Sequence, residues 1–444
     1  MSTVFIVLCA LGGLLLLWLL LELAVRIVCD RPVRTDFYGS ISREDVQKMQ
    51  SEVGLCVNAG DTWAHVGWIA DPERETYIVS RVLPDGELLW CGGAKTGGFL
   101  LQNLTPETSY TVRVCASSGG FDRTVSFITL SKTERTMFRP VQDGGWHAFF
   151  RPHKYGNYLN DHTVYQAADG SWHVVGITAF GQGDYTKERS FAHGSSREFP
   201  FAEGAAMDEL PPVADENRLA WAPFCIRAND RFYLWYSPHQ VHCQTSEDGI
   251  AWRERPDLAF WPAYPQFRDA MVREVCPGQY LMYATARHGY YSSVDVYQSF
   301  DAEHWQFLRC ALKTGFGCER AAPQASTESP FSFGFAGGQY LSVTYNNESF
   351  FLDALLLPLH VWRKKESYSD TLVFYSDNPY DFGLYRGRKR PSTLAGILRA
   401  HAPEFVEKNG DWYMTTCGWP WVASLTKGEA AWAKLRFERV DNRP

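Results

Sequence analysis

Hydrophobic and polar positions repeat on one plan along the later part of the chain. The plan is clearest in HAPEFVEKNGDWYMTTCGW, from His401 to Trp419. A polar residue opens the unit, and a small residue or proline follows. Next come a β-forming run, a tight turn at Asn409-Gly410, and an aromatic-rich run that closes the unit. The plan recurs in NDHTVYQAADGSWHVVGITAF from Asn160, WAPFCIRANDRFYLWYS from Trp221, RDAMVREVCPGQYLMYATAR from Arg268 and ESPFSFGFAGGQYLSVTYN from Glu328. Strand–turn–strand units spaced by about 45 to 75 residues predict the blades of a β-propeller. Between them, AHGSSREFPF, TSEDGIAWRE, SFDAEHWQF and YSDNPYDFG each pair serine with a turn and an aromatic, and predict the outer strands. The polar opening residues are Asp161, Trp221, Asp269, Glu328 and His401. If each starts an innermost strand, all five face one axial mouth.

A different alternation fills residues 51–130. GLCVNAGDTWAHVGWIA, TYIVSRVL, FLLQNLTPETSYTVRVCAS and TVSFITL read as strands, with a turn at Pro84-Asp85-Gly86. Their length suits a β-sandwich. Residues 29–50 read as a polar linker with a short helix near Ser42–Asp45. Residues 1–28 read as a transmembrane anchor, because Val4–Val25 is apolar except for Glu22 and is long enough for a bilayer. No Lys or Arg precedes that run and no A-x-A pattern follows it, which favours a retained anchor over a cleaved signal. The expected architecture is therefore all-β: a five-bladed propeller at 131–444, preceded by the sandwich and the helix.

Composition narrows the partners. The formal net charge is −7 with no long basic run, which excludes nucleic acid as a partner. Aromatics make up 15% of the chain, which suits β packing and sugar contact. The 11 cysteines form no C-x-x-C pair, so most read as buried free thiols, with one or two bridges left open, rather than a zinc site or a full disulfide framework. RGRKRP, Arg386–Pro391, reads as a solvated loop.

The candidate chemistry lies in the opening residues. Asp161, Asp269 and Glu328 place carboxylates at the heads of the first, third and fourth repeats. Glycoside hydrolysis uses two carboxyl groups flanking the scissile bond, and a third nearby raises the acid's pKa. Each carboxylate taken alone is as readily a strand-start residue that satisfies backbone amides. Glu404 and Glu407 lie inside the fifth repeat and read as structural or solvent-facing.

On these motifs, residues 145–440 resemble glycoside hydrolase family 43 and its fructoside-cleaving relatives. The resemblance implies Asp161 of N-D-H as general base, Asp269 of R-D-A as pKa modulator and Glu328 of E-S-P as general acid. It implies Trp221 of W-A-P as a sugar-site residue and His401 of H-A-P-E as a substrate contact or channel metal ligand. His162 and Arg287 are weaker candidates for substrate contact. The family's prolines after the two aspartates are replaced here by His162 and Ala270. The resemblance implies no required cofactor, though a calcium ion in the propeller channel would suit an oxygen-rich site. N-D also echoes the fructoside-cleaving members, so inverting and retaining outcomes both stay open.

LTPETSYTVRV, Leu104–Val114, resembles the corner of a fibronectin type III domain, with Tyr110 as its core tyrosine. Arg26, Arg31 and Arg34 follow the apolar run and would hold the remainder in the cytoplasm. Carbohydrate-active domains, however, are more often exported. The expectation is a single-pass, membrane-anchored glycosidase with an extracytoplasmic catalytic domain, contacting a bilayer and a carbohydrate. The alternative is a carbohydrate-binding propeller without chemistry.

Overall fold

The structure is a computed structural model. It describes residues 3–29, 41, 43–71, 76–181, 185–214, 217–264, 267–288, 291–314, 325–347, 369–385, 393–420 and 425–440. The basic run at Arg386–Pro391 lies outside them. Two helices come first, α1 (Thr3–Cys29) and α2 (Arg43–Val53). Among the described residues no helix is long and apolar enough to cross a membrane. The expected single-pass anchor, its bilayer contact and the extracytoplasmic placement built on it are corrected accordingly. α2 extends past the short helix expected near Ser42 and buries Val46 against Ile41 and Ile69.

Seven strands follow: β1 (Cys56–Ala59), β2 (Trp63–Gly67), β3 (Tyr77–Val82), β4 (Leu88–Ala94), β5 (Gly98–Gln102), β6 (Ser109–Ala116) and β7 (Asp122–Ile128). They form two sheets, ordered β1-β2-β5 and β4-β3-β6-β7. Alternation along β6 turns Tyr110, Val112, Val114 and Ala116 inward, where they share a core with Trp68, Tyr77 and Val79. The Thr105 amide donates to the Tyr110 hydroxyl at 2.9 Å, which fixes the corner before β6.

The remaining strands build five sheets. β8 (Phe138–Phe150) comes first in sequence and pairs last. Sheet I holds β9 (Asn160–Gln166), β10 (Trp172–Thr178), β11 (Ser190–Ser196) and β12 (Asp208–Leu210). Sheet II holds β13 (Trp221–Ala228), β14 (Arg231–Ser237), β15 (His242–Ser246) and β16 (Arg253–Glu254). Sheet III holds β17 (Arg268–Cys276), β18 (Gln279–His288), β19 (Tyr291–Ser299) and β20 (Gln306–Thr314). Sheet IV holds β21 (Ala325–Phe335), β22 (Gly338–Asn347) and β23 (Asp370–Ser376); β24 (Gly383–Tyr385) then joins β20 in parallel, and β25 (Leu394–Arg399) returns to complete sheet IV. Sheet V holds β26 (Phe405–Lys408), β27 (Asp411–Thr416) and β28 (Ala430–Arg439), with β8 as its outer strand. An early strand thus seals the last sheet and closes the chain into a ring. Residues at the heads of all five sheets line one axial cavity, in a β-propeller-like arrangement.

A local device recurs between third and fourth strands. Asp248 Oδ1 accepts the amides of Ile250 and Ala251 and the hydroxyl of Ser246. Asp301 repeats this with Glu303, His304 and Ser299. Asn378 accepts the amides of Tyr380 and Asp381, beside Ser376. Trp305 and Phe382, four residues beyond Asp301 and Asn378, are buried between sheets.

The sandwich docks on sheet III through side-chain amides that pair with its backbone. Gln298 Nε2 donates to Trp68 O at 3.0 Å and Gly97 O at 2.6 Å, and Gln306 exchanges two hydrogen bonds with Ala70. His65 stacks on Tyr380 at 4.0 Å. A Cβ at Gly97 would collide with Trp68 O and stand 2.6 Å from the Gln298 amide nitrogen. Gly97→Ala should therefore destabilise the protein by ~1–3 kcal/mol, read as a lowered Tm, because overpacking at this seam has nowhere to relax.

Candidate active site

The head of each sheet is kinked at one residue. Asp161, Ala222, Asp269, Ser329 and Ala402 have φ of 35°, 45°, 59°, 44° and 45°. Left-handed backbone is unfavourable for residues with a Cβ. In sheets I to IV a register shift accompanies it: opposite Gly176/Ile177, and between Trp221/Phe224, Arg268/Met271 and Glu328/Phe331. The extra residue of such a bulge re-aims neighbouring side chains. The kinks align Asn160-Asp161, Trp221-Ala222, Arg268-Asp269, Glu328-Ser329 and His401-Ala402. Trp221, Glu328 and His401 therefore stand one residue before the position that Asp161 and Asp269 occupy.

Two residues that the sequence reading passed over connect the carboxylates. The Ser329 hydroxyl donates to Asp161 Oδ1 at 2.8 Å, and its amide donates to Asp269 Oδ2 at 3.1 Å. Arg268 places Nε 3.4 Å from Asp269 Oδ2 and Nη2 3.1 Å from Glu328 Oε1. Each is the chain neighbour of a chosen carboxylate, in E-S-P and R-D-A, and that adjacency was the available signal. His401 Nε2 lies 3.3 Å from Asp161 Oδ1, while its main-chain amide donates to Thr416 Oγ1 at 2.8 Å. The mouth thus gathers side chains from sheets I, III and IV and from the segment leading into sheet V.

The two aspartates are held differently. Burial would raise the Asp161 carboxyl, but the His401 hydrogen bond and charge, the Ser329 hydroxyl and the charge of His162 hold it below its ordinary value. Burial pushes Asp269 up to about 7; Arg268 and the Ser329 amide pull it down, while the charges of Asp161 and Glu328 push it up.

The other expected residues fall around this centre. His162 is buried between sheets I and V, with Nε2 2.7 Å from Thr415 Oγ1 and Nδ1 3.1 Å from Cys417 Sγ. Burial, helped by His401 and opposed by Asp161, lowers its pKa to about 4. Trp221 is partly exposed and meets the Tyr185 ring edge-on at 6.2 Å. Arg287 is in β18, and its side chain lies outside the described residues. Glu407 is exposed. Glu404, by contrast, is buried on the wall of the axial cavity. Its Oε2 accepts the Val164 amide at 2.7 Å, and its Oε1 has no hydrogen-bond partner. Burial raises its pKa to about 8.

The cavity measures ≈ 30 Å³, room for a water molecule. Calcium takes six to eight oxygen ligands. Among the described residues no group of three or more His, Cys, Asp or Glu gathers to hold a metal ion. His401 Nε2 faces Asp161 Oδ1. The described cysteines are free thiols, with Cys225, Cys243 and Cys417 buried.

No family profile matches the chain, and no curated protein sequence matches it. Solved structures similar to it include a Lactobacillus gasseri sucrose-6-phosphate hydrolase, at TM-score 0.47 and 14% identity, covering 67% of this chain and 61% of that one. A Bombyx mori family 32 β-fructofuranosidase aligns at TM-score 0.45 and 14% identity, covering 68% and 62%. A Xanthomonas citri family 43 enzyme aligns at TM-score 0.43 and 14% identity, covering 63% and 87%. The alignment with the silkworm enzyme thus spans less than two thirds of that protein.

Glu404 gives a prediction about stability. Its carboxyl ionises at 4.5 when free and at about 8 in the fold, so between these values the folded protein holds a proton that the unfolded chain has lost. This contribution is complete below pH 4.5 and is lost as pH rises through about 8. Glu404→Gln keeps an acceptor for Val164 and cannot ionise. Its Tm should fall less than the wild type's from pH 5 to pH 9, leaving it about 2 °C or more higher at the alkaline end. Parallel Tm curves would show that Glu404 does not titrate in this way.

Proposed function

We propose that this chain is a glycoside hydrolase cleaving oligo- or polysaccharides, built as a five-bladed β-propeller. Sheets I to V are the blades. The observation that carries the reading is the joining of Asp161, Asp269 and Glu328, from three sheets, at one mouth through Ser329 and Arg268. Residues 51–130 form a fibronectin type III-like sandwich, a reading supported by the sheet orders and the Tyr110 corner. Residues 131–444 form the propeller domain, and 29–50 the segment before the sandwich.

In the proposed reaction Asp161 is the base. His401 and Ser329 favour its charged form, so it is ionised at neutral pH and ready to take a proton from water. The water oxygen bonds to the anomeric carbon as the glycosidic C–O bond breaks. Glu328 gives its proton to the departing oxygen. Asp269 is buried beside both, and when it is ionised its negative charge favours protonated Glu328. If Asp161 instead attacks the anomeric carbon, the product retains configuration; the separation of the carboxyl groups in the complex decides. The proposed chemistry needs carboxyl groups and water, without a cofactor.

One observation favours a second reading, a carbohydrate-binding propeller. Arg268 Nη2 at 3.1 Å from Glu328 Oε1 favours the ionised carboxylate, the opposite of what an acid needs. The enzyme reading requires substrate to draw Arg268 away or to deliver Glu328 protonated.

The test incubates the protein and its Glu328→Gln variant with aryl furanosides, xylosides and fructosides and follows anomeric protons by NMR. The wild type should release sugar, and the first-formed anomer assigns Asp161 as base or nucleophile. Glu328→Gln should be slower by about a hundredfold or more while still binding the same glycoside. Undiminished release by the variant would remove Glu328 from the acid role. Binding without release by either protein would favour the second reading.

A further inference from the structure

Glu188 is a buried carboxylate outside the triad, 1% exposed, in the connection between β10 and β11. Its Oε1 accepts the Tyr158 hydroxyl at 2.8 Å and the Trp419 indole N–H at 2.7 Å. Its backbone oxygen accepts the Ala220 amide at 2.9 Å, one residue before Trp221. One residue therefore ties together the segment before β9, the start of sheet II and the connection after β27.

All three segments lie at the mouth. Asn160, beside Asp161, pairs with Ile177 near the end of β10. The Cys417 amide donates to His401 O at 3.4 Å, and the Gly418 amide to Leu159 O at 3.2 Å. Trp419 thus follows a segment bonded to both His401 and Leu159, where sheets V and I meet, and is partly exposed. On the other flank of sheet I, Trp221 meets Tyr185, which is 56% exposed.

Burying a carboxylate is costly and is a weak device for stability. Here it holds an indole by its one donor, which stops the ring from turning about its linkage. Trp221, Trp235 and Trp432 sit in the fold with the indole N–H lacking any hydrogen bond, so packing alone does not require such a partner. A fixed, partly exposed aromatic face beside catalytic carboxylates suits the C–H face of a sugar ring.

We propose that Trp419 is a sugar-stacking wall of the mouth on its Asp161 side, and that Glu188 is the residue that positions it. The proposal takes its ligand class from the glycosidase reading, and the test separates the two. Protein carrying 5-fluorotryptophan and Asp161→Asn is titrated with methyl β-xylopyranoside, methyl α-arabinofuranoside and sucrose. The Trp419 fluorine resonance is assigned by its loss in Trp419→Phe. At least one sugar should shift it. No shift from any of the three overturns the proposal.

Kinetics on whichever glycoside of that panel the wild type hydrolyses give the second readout. Trp419→Ala should raise KM about tenfold with kcat nearly unchanged, as expected for lost ring contact. Glu188→Met should behave like Trp419→Ala, whereas Glu188→Gln, which still accepts the indole proton, should restore KM. An unchanged KM in Glu188→Met overturns the positioning role. If Glu188→Met does not fold, a wild-type KM in Trp419→Ala overturns the wall itself. A shifted Trp419 resonance without turnover of any sugar would uphold the wall while the glycosidase reading fails.

Discussion

The mouth depends on a backbone constraint: one left-handed residue at the head of each sheet. A Cβ at positive φ is unfavourable, and in sheets I to IV the kinked strand carries an extra residue against its pairing strand. Five such positions around one axis cannot relax independently, because each head packs against its neighbours. The kink turns the preceding side chain and the kinked side chain in different directions. It thereby places Asp161, Asp269 and Ser329 in one layer and Arg268, Glu328 and His401 in the adjoining positions. Replacing any one partner would disturb contacts contributed by other sheets.

Within that frame, electrostatics separates groups that are chemically alike. Asp161 and Asp269 are both buried aspartates, and both accept a hydrogen bond from Ser329. Asp161 also has His401, and its proton is held loosely. Asp269 faces two other carboxylates, and its proton is held tightly despite Arg268. The difference arises from which sheet supplies the neighbour, so ring closure by β8 and β28 matters to the chemistry as well as to stability. The same closure buries Glu404 and His162 in the wall below, where both are pushed toward their neutral forms.

The outer parts of the fold rest on more local physics. The Ser-x-Asp and Ser-x-Asn turns satisfy their own amides within a few residues, so they form wherever that short pattern occurs. Docking of the sandwich relies instead on Gln298 and Gln306 reaching backbone groups at the sandwich's end, among them the Gly97 oxygen that also accepts the Trp68 amide. Such side-chain to main-chain pairs fix orientation because both partners are buried and neither has water as an alternative.

The strand plan, the turns, the Tyr110 corner and the three carboxylates were legible in the sequence because each depends on local alternation or on a short motif. The apolar N-terminal run was legible too, but hydropathy pattern alone misjudged it as a bilayer span. Arg268 and Ser329 were hidden by their neighbours: nothing in R-D-A or E-S-P says that the flanking residue bridges two sheets. Glu404 read as an ordinary strand residue and became a buried, proton-holding group only when sheets I and V met around it. Glu188 and Trp419 are 231 residues apart, and no periodicity joins them. The sequence by itself determined which segments become strands and which residue types stand at their heads, since period and turn chemistry act over a few residues. Only the tertiary structure decided which carboxylate is charged, which is neutral and what lies beside each, because burial and Coulomb interactions depend on neighbours brought together by ring closure.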